Sequence, residues 1–184
     1  MAPNYFVVKV APITSHQLPS GPPGRFDHHV CLTGVHHLKF PVSDLPASIA
    51  WFEAALAATR VEKYDHRHPD GTLFGVILML PGVPIPVELR RAPAAATANA
   101  GFDPVTFGVD GLDGLQRWVD HLDSVGIEHS SIITGFIGHL VEFRTPDGLC
   151  IRIYTDPPNG FADVEMRPDQ VEFEHPRLGP AGPS

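Results

Sequence analysis

A chain of 184 residues, 43% of them hydrophobic and 18% charged, is long enough to bury a substantial core as one large domain or two small ones. No apolar stretch reaches the length a bilayer span needs, which argues against a membrane protein. The net charge of −8 offers no basic surface for phosphate attraction, so nucleic acid and anionic membranes are excluded as partners and a small molecule or another protein is expected.

In chain order, the opening residues carry no basic region ahead of their short apolar run, so a cytoplasmic location is expected. "YFVVKV" at 5 to 10 reads either as an edge strand or as a frayed terminus. Residues 11 to 26 contain four prolines and two glycines and read as loop, within an N-terminal extension of residues 1–32. Cys31 and Cys150 stand apart, without CxxC or Cys/His spacing, and read as reduced structural thiols.

From residue 34 the pattern changes. "VHHLKFPV" alternates, with His37, Lys39 and Pro41 on one side and His36, Leu38, Phe40 and Val42 on the other. Asp44 is placed to cap a helix over about 46 to 58, whose apolar residues Ile49, Phe52 and Leu56 recur at spacings of three and four. Strand-like runs follow at 60–66, 73–80 and 84–91. The small-residue segment "APAAATANAG" at 92–101 reads as a flexible surface connection.

The chain then repeats itself. Aligning Val42 with Val109 places Leu45 on Leu112, Trp51 on Trp118 and Glu53 on Asp120. A second helix carries the stripe Leu112, Leu115, Trp118, Val119, Leu122 and Val125 and stops at Gly126. Strand-like runs recur at 127–134, 136–143 and 149–155, and "PDG" occurs at 69–71 and again at 146–148. The expected fold is therefore α+β: two tandem βαβββ modules, 34–91 and 102–155, forming a curved, partly closed mixed sheet with helices outside, in a domain spanning 33–155. A Pro-rich tail occupies 156–184. Pairing two such modules would create a cavity for a ligand.

"VHHLKFPVSDLPASIAWF" resembles the opening motif of the vicinal oxygen chelate superfamily, which includes glyoxalase I, fosfomycin-modifying enzymes, extradiol dioxygenases and bleomycin-binding proteins. "RTPDGLCIRIY" resembles its closing strand, and the likeness covers about 34–155. The resemblance implies a divalent metal in the cavity (zinc, manganese, nickel or iron), with His37 and Glu88 at two ligand positions. The other two positions hold Pro104 and Arg152, which cannot coordinate a cation. A unit positive charge about 5 Å from a dication costs roughly 6 to 7 kcal/mol at an effective dielectric of about 20. No tightly bound metal is therefore the expectation, with His66, His68 and His139 as candidate extra ligands.

Alternation aims His37, Lys39, Glu88, Arg90, Thr106, Arg152 and Tyr154 inward. Buried charges must be paired or ligand-facing, so Arg152 is expected against Glu88. The functional expectation is an enzyme of the glyoxalase type, a lyase or isomerase moving a proton next to a carbonyl or other oxyanion. Glu88, His37 and Arg152 are its catalytic candidates, and Lys39, Arg90, Thr106, His139 and Tyr154 its substrate-binding ones. A metal-free small-molecule binder of the antibiotic-sequestering kind is the alternative, and an extradiol-type dioxygenase the third reading. The resemblance also implies a homodimer.

Overall fold

Apolar residues at alternating positions dictate two sheets that each bury one face. The computed structural model describes residues 32–157 and 160. In chain order they form β1 (Leu38–Val42), α1 (Leu45–Leu56), β2 (Thr59–Arg60), a 3₁₀ turn (Glu62–Tyr64), β3 (His66–Arg67), β4 (Leu73–Met79), β5 (Val87–Arg91), α2 (Pro93–Ala98), β6 (Val105–Val109), α3 (Gly111–Ser124), β7 (Ile133–Thr134), β8 (His139–Arg144) and β9 (Cys150–Thr155). The chain divides after Gly34 into two units. Of the first, Leu32, Thr33 and Gly34 are described, all exposed, so the "YFVVKV" segment, Cys31 and the tail beyond Gly160 lie outside the described residues.

The second unit is α+β with two mixed sheets that do not close into one. The first sheet runs β1-β5-β4-β2 with β3 also on β4, and the second runs β6-β9-β8-β7. The sequence repeat reappears as register. β1 pairs parallel with β5, placing Lys39 opposite Glu88, and β6 pairs parallel with β9, placing Thr106 opposite Arg152. The remaining ladders are antiparallel.

Asp44 caps α1 as expected, its Oδ1 accepting from Ala47 N–H at 3.0 Å, and Ala57 ends the helix with a left-handed φ of 49°. The helix sides of both sheets share one core. Phe40, Phe52, Leu78 and Leu89 of the first module are buried in the same cluster as Leu115, Phe143, Ile151 and Ile153 of the second. Each such side chain contributes roughly 1.5–3 kcal/mol by leaving water. Trp51 stacks on Phe143 across the modules, ring centroids 5.9 Å apart. His121 Nε2 lies 3.0 Å from the Ala54 carbonyl, and both carboxylate oxygens of Asp147 accept from Ser43 N–H at 3.1 Å.

Three expectations are corrected. The 92–101 connection contains the helix α2, begun by Pro93 and fastened by the buried Ala96. The 60–66 run is broken into two short pieces by the 3₁₀ turn, and the 127–134 run keeps only β7 plus an isolated bridge from His129 to Phe143. Leu112 and Val125 are exposed: one lies in the first turn of α3, the other beyond its last residue, where the stripe has rotated off the core. Among the described residues no helix is long and apolar enough to cross a membrane.

Candidate functional site

The polar face of the first sheet holds a carboxylate ringed by nitrogen. Because Phe40, Val87, Leu89, Val76 and Leu78 fill the core side, alternation turns Lys39, Glu88, Arg90, Ile77 and Gly75 to the opposite side. Glu88 is almost completely buried, its side chain 4% exposed. Its Oε2 lies 3.1 Å from Lys39 Nζ and 3.4 Å from His37 Nε2. Arg90 donates from Nε to Oε1 at 2.6 Å, Arg90 Nη2 is also 2.6 Å from that oxygen, and His66 Nδ1 is 3.5 Å from it.

His66 reaches the cluster because β3 pairs with β4 opposite Gly75. A Cβ on Gly75 would stand 3.1 Å from His66 Nδ1 and 3.4 Å from Arg90 Nε, so the missing side chain makes room for both. The preceding loop is pinned by Asp65, whose side chain is 7% exposed and accepts from Arg60 Nε and Nη2 at 3.1 and 2.6 Å and from Arg67 Nη2 at 3.0 Å. Those bonds, Arg60's foremost, hold the Asp65 carboxyl below its ordinary range. Behind the site, the Arg90 guanidinium carbon sits 4.7 Å from the centre of the Phe74 ring, and His68 packs on the same ring at 4.4 Å.

Burial pushes the Glu88 carboxyl up, but hydrogen bonds from Arg90 and Lys39 and their charges outweigh it, and the net shift is downward. Glu88 is therefore an ionised acceptor. His37 Nδ1 lies 2.9 Å from Nδ1 of the exposed His36.

The second sheet carries the inverse arrangement. Arg152 donates from Nε to Glu142 Oε1 at 2.6 Å and places Nη1 2.6 Å from Asp103 Oδ2. The expected Glu88–Arg152 ion pair is thus corrected: among the described residues each partners charges of its own module, because the two sheets share their helix sides and not their polar faces. Thr106 stands beside Arg152 on β6. Tyr154 accepts at its hydroxyl from Ile137 N–H at 3.3 Å, and His139 donates its backbone N–H to Thr155 Oγ1 at 3.0 Å, so both help fold the 135–139 turn. Of the expected set, then, His37, Lys39, Glu88 and Arg90 come together, while Arg152, Thr106, His139 and Tyr154 belong to the other sheet.

Sequence reasoning missed Glu142 and Asp103, and gave His66 only as an extra ligand. Glu142 was legible as a lone charge inside the apolar "LVEF" run. A cavity of about 370 Å³ does lie between the modules, but Leu56, Leu80, Val83, Phe107, Trp118 and Ile153 line it together with Asp156, and not the expected charged set.

The donor set at Glu88 does not fit a divalent metal. Both carboxylate oxygens are engaged by permanent cations, Lys39 on one and Arg90 on the other, where a dication would meet strong repulsion. Among the described residues no group of three or more His, Cys, Asp or Glu side chains is placed to hold a metal ion.

Solved structures share this fold. FosX, a fosfomycin resistance protein from Listeria monocytogenes complexed with Mn(II) and sulfate, superposes with a TM-score of 0.55 at 12% identity, over 70% of this chain and 97% of that one. A glyoxylase/bleomycin resistance protein/dioxygenase domain from Frankia sp. EAN1pec gives 0.53 at 22%, over 68% and 98%. A lactoylglutathione lyase from Agrobacterium tumefaciens gives 0.52 at 14%, over 67% and 94%. No curated protein sequence matches the chain. Residues 34–153 match the family model, and that span holds both charge clusters and all but the last two residues of the second module: the chain belongs to the Glyoxalase/Bleomycin resistance protein/Dioxygenase superfamily.

Proposed function

We propose that the chain is a small-molecule enzyme of this superfamily that moves a proton from a carbon next to a carbonyl group, with His37 as the proton carrier and Glu88 as the residue that orients it. The observation that carries the reading is the His37–Glu88 contact, 3.4 Å from Nε2 to Oε2, between a buried carboxylate and a ring one-third exposed. An ionised carboxylate only accepts, so Nε2 carries its hydrogen toward Glu88 and the basic lone pair rests on Nδ1. In the step, the substrate C–H bond breaks, the N–H bond forms at Nδ1, and the electron pair moves onto the carbonyl oxygen as an enolate. Lys39 Nζ, about half exposed, supplies the positive charge that stabilises that oxygen. With that lone pair on His37, the 2.9 Å Nδ1–Nδ1 contact makes the exposed His36 its donor, and His36 must turn away before the lone pair can take the substrate proton.

Arg152 has no part in this step, being held by two carboxylates of its own module, Glu142 and Asp103. A homodimer is the proposed assembly, since the polar faces of both sheets turn away from the shared core; sedimentation velocity checks it.

Incubation in deuterium oxide with pyruvate and with neutral dihydroxyacetone, followed by proton NMR, tests the chemistry. The wild-type chain is expected to speed deuterium uptake next to a carbonyl, and His37→Gln to lose about 100-fold or more of that rate. Equal rates in the two proteins, or binding of these compounds without exchange as in a sequestering protein, would overturn the proposal.

A further inference from the structure

Resting on that reading and deepening it, we infer that the ring of side chains around Glu88 on the polar face of the first sheet binds a carboxylate monoanion, and that Lys39 is the residue that grips it. Lys39 and Arg90 bring two permanent positive charges against the one negative charge of Glu88, a local surplus of one, in a chain whose net charge is −8. Around a carboxylate that is 4% exposed stand four nitrogen-bearing side chains, His37, His66, Arg90 and Lys39, whose exposures run 33%, 35%, 35% and 48%. A ligand therefore meets the two cations and the imidazole rings first and the buried oxygens last. An anion is attracted here and repelled by the chain as a whole.

The two permanent cations are not equivalent. Arg90 reaches Oε1 through both Nε and Nη2, and its guanidinium lies over Phe74, which His68 backs in turn. That packing fixes it as Glu88's partner. Lys39 makes one contact on a flexible stem and is the most exposed of the four, so it can share its ammonium between Glu88 and an arriving carboxylate. One surplus charge matches a monoanion; a phosphate dianion would bring uncompensated charge against Glu88.

Calorimetric titration at neutral pH with pyruvate, inorganic phosphate and dihydroxyacetone tests this on the wild type, Lys39→Met and Lys39→Arg, each checked for folding by circular dichroism. Pyruvate is expected to bind at least about tenfold more tightly than the other two, to lose about tenfold or more in Lys39→Met, and to recover most of that in Lys39→Arg. No pyruvate binding, dihydroxyacetone or phosphate binding as tightly as pyruvate, or Lys39→Met unchanged in affinity would each overturn it. The two readings fail separately. Pyruvate binding without deuterium exchange removes the proton transfer and leaves this site, whereas equal exchange of pyruvate and dihydroxyacetone with no preference in binding removes this site and leaves the proton transfer.

Discussion

Lys39 and Glu88 face each other across the parallel β1–β5 pair with Nζ 3.1 Å from Oε2, and the same rung of the β6–β9 pair holds Thr106 and Arg152. One repeat thus places an anion among cations and the other a cation among anions, Glu142 and Asp103. The two repeats keep one backbone register while the charges at the equivalent positions are opposite in sign. Each charge has its own local partners, because a buried charge must be compensated within hydrogen-bonding reach.

Glu88→Gln removes the charge that holds Lys39 and Arg90, and it should destabilise the fold by about 2 kcal/mol at neutral pH, the scale of hydrogen bonds to charged groups. The effect has a pH signature. The folded carboxyl lies below its ordinary range, so the unfolded chain binds the proton more readily. The associated stability is fully present above the unfolded pKa and disappears as pH falls through the lower folded value. Urea denaturation of both proteins from about pH 7 down to about pH 3 should show the gap closing on acidification. A gap constant across that range contradicts the assignment of Glu88 as the ionised centre.

Much of the fold could be read because it depends on periodicity. The apolar alternation of "LKFPV", the Asp44 cap and the alignment of Val42 with Val109 survive as β1, α1 and the paired registers. Alternation also identified which side chains share the polar face of each sheet. It could not say which faces of the two sheets would meet. That depends on how the helix-side cores pack, through contacts such as Trp51 on Phe143, so alternation alone pairs Arg152 with Glu88, whereas the structure sets it against Asp103 and Glu142. His66 entered the cluster through a register shift between β3 and β4 that no local pattern encodes.

Gly75 is the position on which the His66–Arg90 approach depends. Gly75→Val would push a branched side chain against both, with little space to accept it. The expected cost is about 1–3 kcal/mol from overpacking, with His66 displaced from Glu88. Loss of stability in denaturant, together with a changed His66 imidazole shift by NMR, checks this. A variant as stable as the wild type with His66 unmoved would show that the gap is not needed.

Trp51 bridges the modules, stacked on Phe143 and edge-on to Phe52 with centroids 5.1 Å apart. Trp51→Ala should cost about 3 kcal/mol, toward the lower end for large aromatic truncations because the ring is only partly buried. For a chain of this size that corresponds to a fall in Tm of roughly 6 to 12 °C by calorimetry. Two separated transitions would add that the modules unfold independently once the stack is gone; a single shifted transition would show that the shared core still couples them.

Ser48 sits on α1 with 1% exposure, and its Oγ has no hydrogen-bond partner among the described residues. A hydroxyl desolvated without a partner costs about 1–3 kcal/mol, and serine is also a poorer helix former than alanine. Ser48→Ala removes both penalties and leaves a gap of one oxygen atom, so the chain should gain about 1 kcal/mol and roughly 2 to 4 °C in Tm. The opposite sign would be informative, since a destabilised variant means the hydroxyl bonds to a buried water or to a residue outside the described set. In that case the Ser48 side of α1 is a polar contact and not a defect in the packing of the core.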